Sequence, residues 1–318
     1  MIQKHNFTSV NFTNISLFKF NNIVHAWNLD FLQLRPGKFS ADISQIIHQD
    51  FQLGHARFNT AVKQEGTSPE GVWTFAFVNE VKVYWRNYVI EPNSIIIYAP
   101  GSEINAVSDA DFEVMTFSIS DDFLMEIAKE EGMEDFYYSL KSIDALVSKN
   151  PLWEKLRKNI LNEIVNHIKD QNCRSGQIFK ESFTKKLLIL LKDSEISTKK
   201  VSGKKRLKLL HDFEQFILQH ITEPNRVSNI ASYLNVSERT LLYAFRNRFD
   251  MGPKNYLLVL KLNHANYWLH KENNTGSVSS IVRGSGFWHM GQFYKDYKRF
   301  FGELPSKILH TNFMKVKG

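Results

Sequence analysis

The chain has 318 residues, 43% of them apolar, with 40 Lys and Arg against 33 Asp and Glu and a single cysteine. That length and apolar content suit two domains of roughly 100 to 200 residues each and exclude a disordered tail or a disulfide-stapled scaffold. Cys173 belongs to no Cys/His metal spacing, Met1–Phe20 lacks the charged-then-apolar order of a secretion signal, and no apolar run approaches the ~18 residues of a membrane span, so a cytoplasmic protein without membrane contact is expected.

Residues 1–145 read as β-rich. Short β-branched and aromatic runs at Val72–Val78, Val81–Trp85, Ser94–Tyr98 and Phe112–Ser118 are separated by turn signals at Arg35-Pro36-Gly37, Glu91-Pro92-Asn93 and Pro100-Gly101. A small antiparallel barrel or double-sheet roll fits that pattern. Trp73, Phe75, Trp85 and Tyr98, with Arg35 and His55 as polar anchors, are candidate lining for a ligand pocket, the competing reading being ordinary core. His48 and His55 stand seven apart without a His-x-His pattern, and neither a Gly-rich phosphate loop nor a nucleophile elbow occurs. No enzyme, cofactor or metal is expected.

Residues 146–196 change period. Leu156, Ile160, Ile164 and Ile168 recur every fourth residue beside Trp153, Leu161 and Val165, and Ile178–Leu191 supplies a second apolar stripe. Such a stripe either packs on the sheets or forms a dimer interface; Leu156, Ile160, Ile164 and Ile168 are the candidate dimerisation residues. Ser197–Arg206, rich in Lys and Ser, reads as a linker, after which Leu207–Ile221 resumes as a helix.

Residues 207–318 form the last domain, and the basic charge sits there. Residues 199–318 hold 20 Lys and Arg against 8 Asp and Glu, leaving 20 against 25 for residues 1–198. A domain this basic gains sequence-independent affinity for phosphates by releasing counterions, so its binding should fall steeply with salt.

The same domain repeats one pattern. Ile230 corresponds to Ile281 at an offset of 51, whereas Leu241, Phe245, Phe249 and Pro253 correspond to Phe293, Tyr297, Phe301 and Pro305 at 52. Each copy reads as a short helix, a tight turn and a longer helix, the second turn being one residue longer. In the first copy Asn235 suits the turn and Ser237 the N-cap; Leu241, Phe245 and Phe249 are buried, and Glu238, Arg239, Leu242, Tyr243 and Arg246 face outward. Arg246 and Arg248 are expected on phosphates. In the second copy Ser277 is a cap, Gly286 makes the turn and Phe293, Tyr297, Phe300 and Phe301 are buried, leaving His289, Met290, Gly291, Tyr294, Lys295 and Lys298 toward DNA. Pro253–His270 reads as the helix joining the copies.

Val-Ser-Glu-Arg-Thr-Leu at 236–241, Phe249 through Pro253 with Tyr256, and Gly286-Phe287 followed by Phe293, Tyr297, Phe301-Gly302 and Pro305-Ser306 resemble the AraC/XylS class of bacterial transcription regulators. The run at 286–303 looks most like the subgroup that includes ethanolamine-operon regulators. The resemblance covers about the last hundred residues. It departs at His289, which stands where the family usually has a small hydroxyl cap. By position, Arg239, Leu242 and Tyr243 resemble base-facing residues. Arg239 suits a guanine edge, and Leu242 and Tyr243 a thymine methyl.

The resemblance implies an α+β protein: an N-terminal cupin-like β-barrel with a helical segment, then an all-α domain carrying two helix-turn-helix motifs. It further implies an activator that binds double-stranded DNA as a homodimer, contacts RNA polymerase and answers a small-molecule effector. The alternative is a regulator whose N-terminal domain only dimerises or binds a protein. A DNA-targeted alkyl-transfer enzyme would need an activated acceptor cysteine, and Cys173 lacks a Pro-Cys-His setting.

Overall fold

The computed structural model describes residues 8–23, 27–48, 50–79, 81–86, 88–90, 94–141, 145–169, 174–197, 204–271 and 277–308. Cys173, the Glu91-Pro92-Asn93 turn, linker residues 198–203 and the side chains of Ile168 and Ile178 lie outside what is described. The chain divides into two compact units. The first comprises Met1–Asp30, Ser40–Asn59 and Gln64–Lys200, and the second Phe31–Phe39, Thr60–Lys63 and Val201–Gly318.

In chain order, β1 (Thr8–Ile15) and α1 (Leu17–Ile23) precede β2 (Asn28–Gln33), β3 (Ala41–Ile47), β4 (Phe51–Phe58), β5 (Val62–Thr67) and β6 (Val72–Val78). Then come β7 (Val83–Trp85), β8 (Tyr88–Val89), β9 (Ser94–Tyr98), β10 (Glu103–Ser108) and β11 (Phe112–Ser120). Helices α2 (Asp121–Glu130) and α3 (Glu134–Lys141) lead to β12 (Ala145–Lys149), α4 (Trp153–Lys169), α5 (Arg174–Lys192) and β13 (Glu195–Ser197).

Among the described residues the strands form two sheets, one ordered β1-β3-β4-β11-β6-β9-β12-β13 and the other β2-β5-β10-β7-β8. Both are open, which corrects the expected barrel. Short alternating strands are compatible with either arrangement, and only strand pairing distinguishes them.

Strand β6 explains how the first unit is layered. Its sequence alternates large Trp73, Phe75 and Phe77 with small Thr74 and Ala76, so the two faces differ in bulk. The large face joins Leu53, Ile95, Ile97, Met115 and Phe117 in one core with Trp153, Leu156, Ile160 and Ile164 of α4 and Phe183, Leu187 and Leu188 of α5. Phe77 meets the rings of Trp153 and Phe183 at 6.2 and 6.4 Å, and Phe117 meets Phe183 at 4.7 Å. The α4 stripe is therefore packing. Leu156, Ile160 and Ile164 are at most 3% exposed, so the dimerisation role expected of them is corrected. Each such burial contributes about 1.5 to 3 kcal/mol.

The opposite face carries Tyr98, directly across from Thr74. Its ring packs edge-on to Trp85 of the five-stranded sheet and to Trp27, each at 6.1 Å. Burial pushes the Tyr98 phenol well above its ordinary pKa. The predicted ligand lining is thereby split: Trp73 and Phe75 lie under the helices, whereas Trp85 and Tyr98 lie on the other side of the sheet. His55, across from Met115 in the β4–β11 register, also lies on the helix-covered side. Its Nε2 is 2.8 Å from Glu113, which also accepts from Arg157 of α4 at 3.1 Å.

Burial alone would raise the Glu113 pKa, but hydrogen bonding to His55 and the charges of His55 and Arg157 outweigh it and hold the carboxyl below its usual value. Asp121 is likewise held low against burial, by Lys141, Tyr137 and Trp73. A carboxylate with a depressed folded-state pKa stabilises the fold above its unfolded value, about 4, and loses that contribution as pH falls through the lower folded value. Thermal melts between pH 6 and 3 should show this acid loss, and Glu113→Gln should make the curve shallower. An unchanged slope would rule out Glu113 as a contributor.

The C-terminal part of the second unit is helical: α6 (Lys204–Gln219), α7 (Val227–Tyr233), α8 (Glu238–Phe249), α9 (Pro253–His270), α10 (Val278–Gly284) and α11 (Met290–Phe301). Helix α6 begins inside the expected linker, so Lys204, Lys205 and Arg206 are helical. Among the described residues no helix is long and apolar enough to cross a membrane.

Candidate nucleic-acid interface

In the first motif α7 buries Ile230 and Ala231, and Asn235 turns the chain with φ 53°. Such left-handed backbone is tolerated by Asn better than by most residues. Ser237 caps α8, its hydroxyl accepting from Thr240 N at 3.1 Å. Leu241, Ala244, Phe245, Arg248 and Phe249 form the buried face. Phe245 packs on Phe213 of α6 at 4.6 Å and on Tyr256 of α9 at 5.0 Å.

The outward face of α8 carries Ser237, Glu238, Arg239, Leu242, Tyr243 and Arg246, all exposed, with Tyr243 at 63%. Arg248 is a correction: it is 5% exposed and cannot serve as an open phosphate hand. It lies seven residues after Leu241 and three after Phe245, which puts it on the buried stripe.

In the second motif Ser277 caps α10, accepting from Ser280 N at 3.2 Å. Gly286 turns the chain with φ 74°. His289 occupies the N-cap of α11 without a side-chain capping bond, as its departure from the usual hydroxyl implies. Phe293, Tyr297, Phe300 and Phe301 are buried. His289, Gly291, Lys295 and Lys298 are exposed, and Met290 and Tyr294 are half-buried.

Helix α9 is buried around most of its circumference, as the helix joining two motifs must be. Polar pegs fix it to the second motif: Tyr297 OH donates to Asn266 Oδ1 at 2.5 Å, and His264 Nδ1 lies 3.0 Å from Ser285 Oγ. Buried Lys261 of α9 reaches the carbonyls of Glu223 at 3.4 Å and Gly286 at 3.3 Å, linking the loop after α6 to the second turn. Burial lowers its pKa.

Three surface residues escaped the sequence reading. Arg206 of α6 stacks its guanidinium 5.4 Å from the Tyr243 ring, placing a further cation beside the first reading helix. Continuation of the α6 period back through the basic run was the available signal. Trp288, in the second turn, is 67% exposed. Gln292 is exposed on α11 and donates to Asp296 at 3.0 Å.

The sequence profile described as a helix-turn-helix domain matches residues 230–311. The chain is 33% identical over 102 residues to the XylDLEGF operon transcriptional activator 3 of Pseudomonas putida, a match covering 32% of this chain and 31% of that protein. The C-terminal region is an AraC/XylS-type DNA-binding domain. This AraC/XylS-type domain is also 30% identical over 97 residues to the probable thc operon regulatory protein of Rhodococcus erythropolis, covering 30% of this chain and 29% of that one. The chain thus matches about a third of the length of these relatives. Among solved structures, a transcriptional regulator with an AraC-type DNA-binding domain from Chromobacterium violaceum is 26% identical, covering 33% of this chain and 93% of that chain, with a TM-score of 0.31.

Of the six residues expected to line a ligand pocket, Trp85 and Tyr98 meet, with ring centroids 6.1 Å apart. Besides the split across the sheet described above, Arg35 belongs to the second unit. A cavity of about 410 Å3 in the first unit is lined instead by Asn21, Trp27, Asn28, Leu29 and Thr67–Glu70.

Proposed function

We propose that the protein is a sequence-specific transcription regulator, an activator, that reads two successive major-groove segments of double-stranded DNA in the cytoplasm. The observation that carries this reading is the pair of helix-turn-helix motifs, each presenting a polar, cationic face and joined through one buried helix, α9. The activator names of the Pseudomonas relatives support the direction of regulation. Contact with RNA polymerase and homodimerisation complete the proposal; α4's apolar stripe is already buried, so a dimer would use another surface.

The first unit is read as a cupin-like, double-sheet sensor for a small-molecule effector. Support comes from the aromatic group of Trp27, Trp85 and Tyr98 and the cavity that Trp27 lines. Around Trp27 and Leu29 the lining is mostly polar, from Asn21, Asn28, Thr67, Ser68 and Glu70, which suits a ligand carrying several hydrogen-bonding groups.

In vitro selection with the full-length protein should recover one recurrent sequence of about 20 base pairs, the span of two groove contacts. On that sequence Arg239→Ala should lose about 1 to 3 kcal/mol while sparing random DNA. Equal losses on both DNAs would remove Arg239 from base reading, and failure to enrich any sequence would refute the regulator itself.

A further inference from the structure

Two short stretches from the first quarter of the sequence, Phe31–Phe39 and Thr60–Lys63, are compacted into the DNA-binding unit. The first meets the C-terminal ends of both reading helices. Arg35 Nη2 donates to the carbonyl of Phe249, the last residue of α8, at 2.8 Å, and lies 3.6 Å from the carboxylate of Asp250, the left-handed cap of α8. Gly37 N donates to the carbonyl of Phe300, in the last turn of α11, at 2.8 Å. The Gln33 amide holds the stretch in shape, donating to the carbonyls of Arg35 at 2.8 Å and Gly37 at 2.7 Å. Between the two helix ends, Asn263 of α9 bonds both backbone groups of Gln33, accepting from its N–H at 3.2 Å and donating to its carbonyl at 2.9 Å.

The last carbonyls of a helix have no donor within the helix, so a segment that supplies them anchors that end. This one serves two helix ends within five residues and grips the connecting helix between them. Packing is close there: a Cβ added at Gly302, the cap of α11, would lie 3.3 Å from Lys38 Cβ and 3.5 Å from Lys38 N. Helix α8 has 12 residues, about 18 Å, so freedom at its anchored end re-aims Arg239 at the other.

We propose that Gln33–Gly37 is a strap that sets the separation of the two reading helices, with Arg35 and Gln33 as positioning residues. The proposal rests on the DNA-reading function and adds to it a determinant of site spacing outside the helix-turn-helix sequence.

The test uses full-length Arg35→Ala, Arg35→Lys and Gln33→Ala. Without DNA, hydrogen exchange should quicken at the end of α8 in Arg35→Ala and at the end of α11 in Gln33→Ala, since local opening governs exchange. Arg35→Lys, which keeps a donor, should fall between Arg35→Ala and wild type. With DNA, the selected site is compared with the same site carrying one base pair inserted between its halves, a rotation of about 35°. Wild type should discriminate against the insertion about tenfold or more, and Arg35→Ala should discriminate by no more than about twofold. Exchange unchanged in Arg35→Ala, or spacing discrimination equal to wild type, overturns the strap. Should wild type select no sequence, the regulator reading falls, and the exchange measurement alone decides whether the strap anchors the helices.

Discussion

Gly286→Ala should destabilise the second helix-turn-helix by about 3 to 5 kcal/mol, placing it among the severe single substitutions. Gly286 sits at φ 74°, where a residue with a side chain pays about 1 to 2 kcal/mol. Space adds the larger part. A Cβ there would lie 1.9 Å from the Ile221 carbonyl oxygen and 2.6 Å from Lys261 Nζ. The first obstacle is backbone and cannot swing aside, and displacing the second breaks the bond from Lys261 to the Gly286 carbonyl, leaving a buried lysine short of an acceptor. The reading helix α11 should then lose its fixed orientation. Specific DNA affinity should collapse while the exchange protection of α8 is kept.

Gly291→Ala is the matched control. Nothing lies within 4 Å of a Cβ at Gly291, which occupies the first turn of α11, so stability should be unchanged or rise by about 0.5 to 1 kcal/mol. Urea unfolding of both variants decides the matter. Gly286→Ala at wild-type stability would mean that the Ile221 loop yields and that the close approach has no energetic consequence.

Lys63→Met should cost about 3 to 5 kcal/mol, because it strands a buried carboxylate. Lys63 and Glu214 of α6 form an ion pair with side chains only 6% and 7% exposed, and the other carboxylate oxygen of Glu214 accepts from the buried Tyr256 hydroxyl of α9. Removing the lysine leaves a full negative charge with one neutral donor in a medium that solvates it poorly. The charge, rather than lost packing, is the cause, so Glu214→Gln added to Lys63→Met should recover most of the loss. Urea unfolding followed by exchange protection of α6 and α9 amides measures the cycle. A double variant no more stable than Lys63→Met alone would assign the effect to the lysine stem and remove the electrostatic account.

The helix-turn-helix repeat was legible in the sequence because everything that shapes it is local. Asn235 and Gly286 turn the chain, Ser237 and Ser277 cap the helices after them, and the 3.6-residue period orients Arg239, Tyr243 and Lys295 outward. Each of these depends on neighbours within a few residues. Arg248 was legible by the same rule, since its spacing from Leu241 and Phe245 puts it on the buried stripe; its charge argued the other way, and the period prevailed.

What tertiary structure decided lies at long range. Periodicity reveals that β6 has a bulky face and α4 an apolar stripe, but only the strand order and the helix packing over it make those two surfaces each other's partner, leaving Trp85 and Tyr98 on the opposite side of the sheet from Trp73 and Phe75. Closure of a barrel is likewise a matter of which edge strands meet. Arg35 reaches a carbonyl 214 positions away and Lys63 a carboxylate 151 positions away. Composition marked both as cations, and only compaction of the chain determined that one anchors a reading helix and the other neutralises a buried acid. The sequence by itself determined the DNA-reading motifs, because caps, turns and helical period act between near neighbours; the tertiary structure decided what covers each apolar face and what pairs each charge, because those depend on which distant segments meet.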